Sequence, residues 1–290
     1  MNKDMWKNQA VIANFEKLKT YQNTLFIEPS EGLLACDQFG IGKMPPNDLL
    51  FLAIKFIFTL KNHTIIRDLI NKSFLITGGA TSEKIDAARK ITNNSSGMMG
   101  LLLAQVIRFR GGKVTYIHGS LKINEDITDG IKSYQVVDSL ELNNLIKNEI
   151  QKNDYLIMNA AVTDIKIKEN KLQKISKDKL EEHLLNKLEI VPDILKNISS
   201  LKKQNQKFIG FCAYTGGLKD LREIIKKKFE KKGCDLIFAN PIDLNGQGFG
   251  ESAENEGWLF DNKGFEYYFE KTSKLDLANK LISRIISINK

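Results

Sequence analysis

From residue 73 onward, the hydrophobic pattern alternates between short apolar runs and longer amphipathic segments. Each run is followed by small or polar residues, which is typical of a strand buried on both faces of a parallel sheet. The runs are SFLIT (73–77), GGKVTYIHG (111–119), DYLIMNAA (154–161), KFIGFCAY (207–214) and CDLIFANP (234–241). Helical patterns separate them at Gly97–Arg110, Leu140–Gln151 and Leu218–Lys232. Strands alternating with helices in this way predict an α/β fold with a mostly parallel sheet.

The two ends of the chain have different patterns. Near the C-terminus, GWLFDNKGFEYYFEK (257–271) predicts a hairpin that turns at Asn262–Gly264, and a closing helix spans Leu275–Ile286. The N-terminal part predicts a helix at 9–18, a strand at 24–28, a Gly-rich loop at 32–46, a helix at 49–60 and a polar linker at 61–72. With 290 residues, the chain is long enough for one large domain and a smaller piece.

Composition narrows the class of protein. Hydrophobic residues make up 42% and charged residues 27%, as in a soluble globular protein. The apolar stretch at 49–60 is too short to cross a membrane and contains Lys55, so no membrane association is predicted. The three cysteines are widely separated and form no CxxC pair, which favours a cytoplasmic location. The net charge of +8 comes from lysines along the whole chain, so no nucleic-acid partner is predicted.

In parallel sheets ligands bind beyond the carboxyl ends of the strands, and several such ends carry candidate chemistry. In TGGATSEKID (77–86), Gly78 and Gly79 let backbone amides approach a phosphate, although buried strands often end in a Gly-rich turn for structural reasons. TNNSSGMMG (92–100) opens a helix, and free amides there attract an anion. Asn93 adds neutral donors, whereas a simple capping loop would account for Ser95 and Ser96 only.

Two further features are less specific. NAAVTDI (159–165) leaves room for a flat base beside two alanines, and Asp164 offers a carboxylate, but small residues are also common where a helix packs on a strand. Lys228 and Lys232 lie one helical turn apart and suit a polyphosphate. The neighbouring lysines, however, make an ordinary solvated helix face the favoured interpretation of that pair by pattern alone.

These motifs together resemble the phosphopantothenate–cysteine ligase family over residues 73–290. The similar segments occur in the family's order: LITGGATSEKID, ITNNSSGMMG, NAAVTD, QKISK, VPDIL, GFCAYT, KFEKKGCDLIFAN and GQGFGESAENEGWLF. The family has a Rossmann-like sheet flanked by helices. The resemblance therefore predicts a ligase domain at residues 71–290.

Residues 1–70 resemble part of a different domain, the flavin-dependent phosphopantothenoylcysteine decarboxylase. MNKDMW is similar to that family's Pro-Ala-Met-Asn-x-x-Met-Trp segment, and EPSEGLLACDQFGIGKM to its substrate-clamp loop. Asn2 and Cys36 match decarboxylase site residues. The resemblance implies a small flavoprotein remnant fused to the ligase, with the rest of the flavin site upstream of Met1. FMN is expected only with a complete decarboxylase domain, and the chain by itself is expected to have no decarboxylase activity.

The resemblance also implies a reaction. The ligase would activate 4'-phosphopantothenate with CTP and Mg²⁺, form an acyl-cytidylate and transfer the acyl group to cysteine, most often as a homodimer. Asn93 and Lys174 match catalytic positions. Nucleotide contacts are implied for Gly78, Gly79, Met158, Asn159, Ala160, Asp164, Lys174, Pro192, Asp193, Ile194, Leu195, Phe211, Lys228 and Lys232. Substrate contacts are implied for Asn93, Ser95, Ser96, Gly97 and Ala161. With this resemblance, a nucleotide site replaces a solvated helix face as the favoured interpretation of Lys228 and Lys232.

Some positions depart from the family pattern, and two other classes of protein stay open. Ala80, Met98 and Tyr214 stand where glycine, lysine and glutamate are common in the family. A dinucleotide-binding oxidoreductase would also explain TGGA after a strand, but the chain has no G-x-G-x-x-G and no acidic residue ends its second strand. A non-catalytic protein that only binds nucleotide is the third class.

Overall fold

The structure, a computed structural model, describes residues 1–21, 23–168, 173–243 and 253–288. Within these ranges the α-helices are α1 (Lys3–Trp6), α2 (Gln9–Lys19), α3 (Asn47–Thr59), α4 (Met98–Phe109), α5 (Ser139–Glu149), α6 (Lys177–Lys187), α7 (Ile194–Ser199), α8 (Leu218–Lys232) and α9 (Lys274–Ile288). Short 3₁₀ helices lie at Lys61–His63, Glu125–Thr128 and Ile150–Lys152. The strands are β1 (Ser30–Leu33), β2 (Phe39–Lys43), β3 (Ser73–Gly78), β4 (Ser82–Lys84), β5 (Lys90–Thr92), β6 (Lys113–His118), β7 (Lys132–Gln135), β8 (Tyr155–Met158), β9 (Ile165–Ile167), β10 (Leu188–Ile190), β11 (Lys207–Tyr214), β12 (Leu236–Pro241), β13 (Glu254–Asp261) and β14 (Glu266–Ser273).

One eight-stranded sheet carries the fold, in the order β14-β13-β12-β11-β8-β3-β6-β7. The strands from β7 to β12 in that order are all parallel, and β13 and β14 add an antiparallel edge. Numbered along the chain, the parallel strands read 3-2-1-4-5-6 across the sheet, which is the doubly wound Rossmann order. The predicted mostly parallel Rossmann-like sheet is therefore confirmed. The order reverses between β3 and β8.

Burial on both faces explains why the strands read as continuous apolar runs. In β3, Phe74 and Ile76 pack into the core under α3, α4 and α9, whereas Leu75 packs into the core under α5, α7 and α8. Side chains of successive strand residues point to opposite faces, so a strand covered on both sides needs apolar residues at every position.

The helix that follows the TNNSSG loop starts differently from the prediction. Its N-cap is Gly97, with a φ of 80°, rather than Ser95 or Ser96. A Cβ at Gly97 would come within 3.2 Å of the Gly79 Cα, so the loop approaches the end of β3 too closely for a side chain. The predicted boundaries of α8 are confirmed, and the predicted hairpin at the C-terminus is confirmed as β13 and β14.

Two predictions for the N-terminal part are wrong. Residues 24–28 form no strand, and Leu25 and Ile27 pack on the core instead. The predicted Gly-rich loop contains the hairpin of β1 and β2, which pair antiparallel. The pattern also missed the hairpin β4–β5 and the antiparallel pair β9–β10, whose strands have only three residues each.

The segment before β3 is bound to the ligase-like part of the chain. Leu69 is fully buried, and Arg110 at the end of α4 donates to both carboxylate oxygens of Asp68, at 2.9 and 2.7 Å. The same guanidinium donates to Ser283 of α9 at 2.9 Å. The predicted polar linker is thus a packed segment, and the proposed boundary at residue 70 remains a prediction. No helix in the described ranges is both long and apolar enough to span a membrane.

Candidate active site

A large cavity opens at the carboxyl ends of β8 and β11. Its volume is about 840 Å³, and α7 and α8 flank it. Its lining residues are Asn93, Asn94, Met158, Ala160, Ala161, Val162, Thr163, Asp164, Ile190, Val191, Pro192, Asp193, Ile194, Leu195, Lys196, Asn197, Gly210, Phe211, Cys212, Ala213, Lys228, Lys232, Cys234 and Ile237. We call it the first cavity. It unites most of the predicted nucleotide contacts from four separate parts of the sequence.

A second, smaller cavity of about 40 Å³ lies on the other face of the sheet, between the starts of α4 and α9. Its lining residues are Ser95, Ser96, Gly97, Met98, Met99, Asn159, Phe211, Asn240, Asn255 and Lys274. Phe211 lines both cavities. The two cavities therefore meet at the ends of the central strands, and this second cavity contains three of the predicted substrate contacts.

The loop before α4 crosses from one cavity to the other. Asn93 and Asn94 line the first cavity, and Ser95 to Gly97 line the second. The Asn93 Nδ2 donates to the Val162 carbonyl at 2.9 Å, which fixes its side chain and leaves its second amide hydrogen and its oxygen available. A polar amide thus stands where a ligand extending through both cavities would pass.

The loops after β3 and β8 are bound together by buried hydrogen bonds. The Thr77 hydroxyl accepts from the Ala160 amide at 3.1 Å, and the Thr81 hydroxyl accepts from the Thr163 amide at 3.0 Å. The Ala161 amide donates to the Gly79 carbonyl at 2.8 Å. The loop after β3 therefore determines the conformation of the NAAVTD segment that lines the first cavity.

Gly78 and Gly79 lie beneath this surface, and neither lines a cavity. A Cβ at Gly78 would come within 2.2 Å of the Tyr116 Oη, and one at Gly79 within 2.7 Å of the Ser120 carbonyl oxygen. Gly79 also has a φ of 69°. The absence of a side chain at both positions is explained by close packing, so the geometry does not support their predicted phosphate contact.

The predicted lysine pair is brought together in the first cavity. The Lys232 Nζ lies 2.9 Å from Asp193 Oδ2, and Asp193 also accepts from the Lys196 amide at 3.1 Å to cap α7. Burial would raise the pKa of the Asp193 carboxyl, but the Lys232 ammonium and the α7 amides hold it below its ordinary value. No carboxylate within the described residues pairs with Lys228, so its charge is available to an anionic ligand.

The two cysteines of the first cavity are unsuited to nucleophilic chemistry. Burial raises the pKa of the Cys212 thiol, and the nearby Lys228 ammonium only partly opposes this effect. Burial also raises the pKa of Cys234 to about 12. A thiolate is the reactive form of cysteine, so both thiols are inert at neutral pH.

Lys174 lies apart from the residues with which it was predicted to act. It lines a separate surface cavity with Arg89, Ser176 and Lys177. The next residue, Ile175, fixes this segment, because its amide donates to Asp86 at 3.1 Å and its carbonyl accepts from Arg89 at 2.9 Å. Asn159, a predicted nucleotide contact, lines the second cavity. Ala161, a predicted substrate contact, lines the first.

The predicted decarboxylase residues line neither cavity and are far in sequence from the residues that do. Asn2 accepts from the Asp4 amide at 2.8 Å and so caps α1, and Cys36 is exposed in the turn between β1 and β2. The segment Gly246–Ser252 of the last sequence motif lies outside the described residues.

The sequence patterns missed Lys274, Asn240 and Asn255 in the second cavity. Lys274 is only 3% exposed, and burial lowers its pKa. Asn240 ends a strand and could have been found by the same rule that found Asp164. Lys274 had no comparable signal, because it precedes the apolar pattern of α9 and is remote from the other motifs in sequence. Within the described residues, no group of three or more His, Cys, Asp and Glu side chains could hold a metal ion.

Comparisons with known proteins show the family to which the chain belongs. The model of the family "DNA/pantothenate metabolism flavoprotein C-terminal domain" matches residues 69–288, and a flavoprotein family model matches residues 1–57. The chain is 37% identical to the coenzyme A biosynthesis bifunctional protein CoaBC of Borreliella burgdorferi, over 85% of the chain and 60% of that protein. It is 32% identical to the protein of the same name from Haemophilus influenzae, over 99% of the chain and 68% of that protein.

Solved structures include a similar fold. The crystal structure of the C-terminal domain of a CoaBC protein superposes with a TM-score of 0.62 at 28% identity. This match covers 76% of the chain and 98% of that domain. The chain spans 60% of the length of the Borreliella relative, so it corresponds to a part of that longer protein.

The ion pair between Asp193 and Lys232 makes stability depend on pH. In Asp193→Asn the helix cap is kept, because asparagine caps as well as aspartate, and only the charge is lost. A lowered pKa in the folded state stabilises the protein above the unfolded pKa, and that stabilisation is lost as the pH falls through the folded value. Thermal unfolding midpoints should therefore differ between the two proteins from about pH 5 to 7 and converge below about pH 4. A difference that stays constant through the acidic range would contradict this interpretation.

Proposed function

Because the chain belongs to the DNA/pantothenate metabolism flavoprotein family through residues 69–288, we propose that it acts in coenzyme A biosynthesis as a CTP-dependent phosphopantothenate–cysteine ligase. One observation carries the proposal: two cavities meet at the ends of the central strands, and the Asn93 loop crosses between them. A ligase that activates one substrate with another needs two adjoining compartments whose ligands react at the border.

The nucleotide is assigned to the first cavity. Ala160 leaves space for the flat base, and the exposed Asp164 carboxylate accepts hydrogen bonds from hydroxyl or amino groups. Lys228 and Lys232 provide two ammonium groups from one helix face, a suitable arrangement for a triphosphate. Asp193 keeps Lys232 oriented until a phosphate competes for it.

The acid substrate is assigned to the second cavity and its border. Ser95, Ser96 and Gly97 stand at the start of α4, where free amides and the helix dipole favour an anionic group. Lys274 and the amides of Asn240 and Asn255 complete a polar lining. Phosphopantothenate has a phosphate at one end and a carboxylate at the other, so its phosphate would bind here and its carboxylate would extend toward Asn93.

The reaction then proceeds in two steps at the border. A carboxylate oxygen attacks the α-phosphorus of CTP, the bond to pyrophosphate breaks, and an acyl-cytidylate forms. The cysteine amine attacks the acyl carbon, loses a proton, and cytidine monophosphate leaves. Charge develops on the carbonyl oxygen in the second step, and the free amide hydrogen of Asn93 is the donor that would stabilise it.

Mg²⁺ fits this site only as a companion of the nucleotide. The carboxylates of the first cavity are Asp164 and Asp193, and Asp193 is engaged by Lys232. A protein that offers one free carboxylate suits Mg²⁺ held mainly by phosphate oxygens and water. The ion would then neutralise charge on the departing pyrophosphate.

The dinucleotide-binding alternative is less consistent with the loop after β3. In a dinucleotide fingerprint the helix starts directly after the first strand, so that its N-terminus meets the pyrophosphate. Here residues 79–97, including the β4–β5 hairpin, separate β3 from α4. Gly78 is also packed against Tyr116 rather than open to a ligand.

The N-terminal segment has no part in the proposed ligase reaction. Among the described residues, none before Asn93 lines either cavity. FMN therefore enters the proposal only with a complete decarboxylase domain.

The purified chain should release pyrophosphate from CTP only when 4'-phosphopantothenate is present, and added cysteine should yield phosphopantothenoylcysteine detectable by mass spectrometry. CTP should also raise the thermal unfolding midpoint, whereas NADP should not. Pyrophosphate release that does not depend on phosphopantothenate would overturn the assignment. So would a thermal unfolding midpoint that NADP raises and CTP does not.

Lys228→Met should lower kcat/KM for CTP by about tenfold to a hundredfold, the loss expected for one charge-assisted phosphate contact of about 1.5–3 kcal/mol. KM for phosphopantothenate should stay the same. Lys227→Met is the matched control, because Lys227 is the adjacent lysine of α8, is exposed and does not line the cavity. Equal losses in both variants would mean that the helix contributes only general positive charge.

A homodimer is the proposed assembly, and it would explain why Lys174 is separated from the first cavity of its own chain. The segment that carries Lys174, residues 173–190, exposes apolar side chains: Leu185 of α6 is 74% exposed and Ile190 of β10 is 81% exposed. Sedimentation equilibrium should give twice the chain mass of 32.9 kDa, and Leu185→Lys should shift it toward the monomer. Leu140→Lys, at a similarly exposed leucine of α5, should remain dimeric. A wild-type monomer at micromolar concentration would contradict the proposal.

A further inference from the structure

A third cavity, of about 450 Å³, lies at the opposite ends of the strands from the candidate active site. Lys113 at the start of β6 and Arg108 near the end of α4 line it on one side, and Lys19, Glu28 and Arg67 line it on the other. We call it the junction cleft, because it separates the N-terminal segment from the sheet. Parallel strands place their amino ends together, so this cleft is remote from both cavities described above.

The junction cleft carries an excess of positive charge. Four of its lining residues are cations and one is a carboxylate, Glu28. Glu28 pairs with Lys19 at 3.4 Å, and Lys19 also pairs with Glu16 at 3.0 Å. Within the described residues, no carboxylate forms an ion pair with Arg67, Arg108 or Lys113. Three cations therefore face one cavity without a carboxylate partner.

The two guanidinium groups are held in place by neutral contacts. Arg67 Nη1 donates to the Lys19 carbonyl at 2.9 Å, whereas its Nε is buried and has no hydrogen-bond partner among the described residues. Arg108 Nη1 donates to Gln105 Oε1 at 3.3 Å and to the Asp129 carbonyl at 3.4 Å.

The position of Arg108 requires a glycine beside it. A Cβ at Gly130 would come within 2.2 Å of Arg108 Nη2, and Gly130 has a φ of 75°. Burial lowers the pKa of Arg108, and the charges of Glu28 and Asp129 oppose that effect. The guanidinium thus keeps a defined place in the cleft although it is partly buried and forms no ion pair with a carboxylate of the described residues.

We propose that the junction cleft is a binding site for a phosphate group, either inorganic phosphate or the phosphate of a small ester. Two guanidinium groups with planar donors match the oxygens of a phosphate, and Lys113 adds a third positive charge from the strand. The cavity volume exceeds the needs of a single phosphate, which leaves room for a small organic group attached to it. The site is separate from the proposed nucleotide cavity, which lies at the other ends of the strands.

Isothermal titration calorimetry with inorganic phosphate, at constant ionic strength set by sodium chloride, tests the proposal. The wild-type chain should bind phosphate saturably, and Arg67→Gln and Lys113→Gln should each weaken binding by about tenfold or more. Lys113 is exposed, so its variant should fold even if the Arg67 variant is destabilised. Arg222→Gln, which removes an exposed arginine paired with Glu266 elsewhere on the surface, is the matched control and should bind normally.

Lys228→Gln separates this site from the first cavity: it should remove any phosphate binding there and keep the binding that Arg67→Gln and Lys113→Gln weaken. Glycerol 3-phosphate in place of phosphate distinguishes the sources: tighter binding indicates an ester ligand, and equal binding indicates phosphate itself. Absence of saturable binding by the wild-type chain would overturn the proposal. So would binding that is lost in Lys228→Gln but kept in both Arg67→Gln and Lys113→Gln.

Discussion

The buried hydrogen bonds between the loops after β3 and β8 are the constraint on which the candidate site depends. Thr77 and Thr81 use their side-chain hydroxyls to accept from backbone amides of the neighbouring loop. The bond between Thr81 and Thr163 is buried, so leaving it unmade would cost about 1–3 kcal/mol, and the bond between Thr77 and Ala160 is partly buried. Asn93 is fixed by the same structure, because its amide donates to Val162 of the second loop. The loop after β3 thus determines the shape of the cavity surface that the loop after β8 forms.

The doubly wound topology explains why the site has two compartments. The helices α7 and α8 cover one face of the sheet, and α4 and α9 cover the other, so each face has its own cavity at the strand ends. Phe211 lies on the strand between them and lines both. Cations are present on each side, with Lys228 and Lys232 on one face and the buried Lys274 on the other. Two anionic ligands would therefore approach each other from opposite faces.

The same topology leaves the amino ends of the strands for a different use. Part of the N-terminal segment packs there, through the Arg110–Asp68 ion pair and the fully buried Leu69. The junction cleft arises between that segment and the sheet, and its two arginines form no ion pair with a carboxylate of the described residues. The charge of the chain, which is spread evenly in sequence, is thus concentrated by folding at distinct places.

The sequence by itself determined the parallel sheet and the limits of α8, and it indicated Asn93 and Asp164 as polar residues at strand ends, because burial on both faces imposes apolar runs and strand ends carry polar loops. It did not determine the roles of Gly78 and Gly79, since a glycine required by Tyr116 looks the same in sequence as a glycine required by a phosphate. Only the tertiary structure brought Lys274 to the second cavity and separated Lys174 from the first. Local patterns report burial and turns, whereas distances between remote segments depend on how helices pack on each face of the sheet.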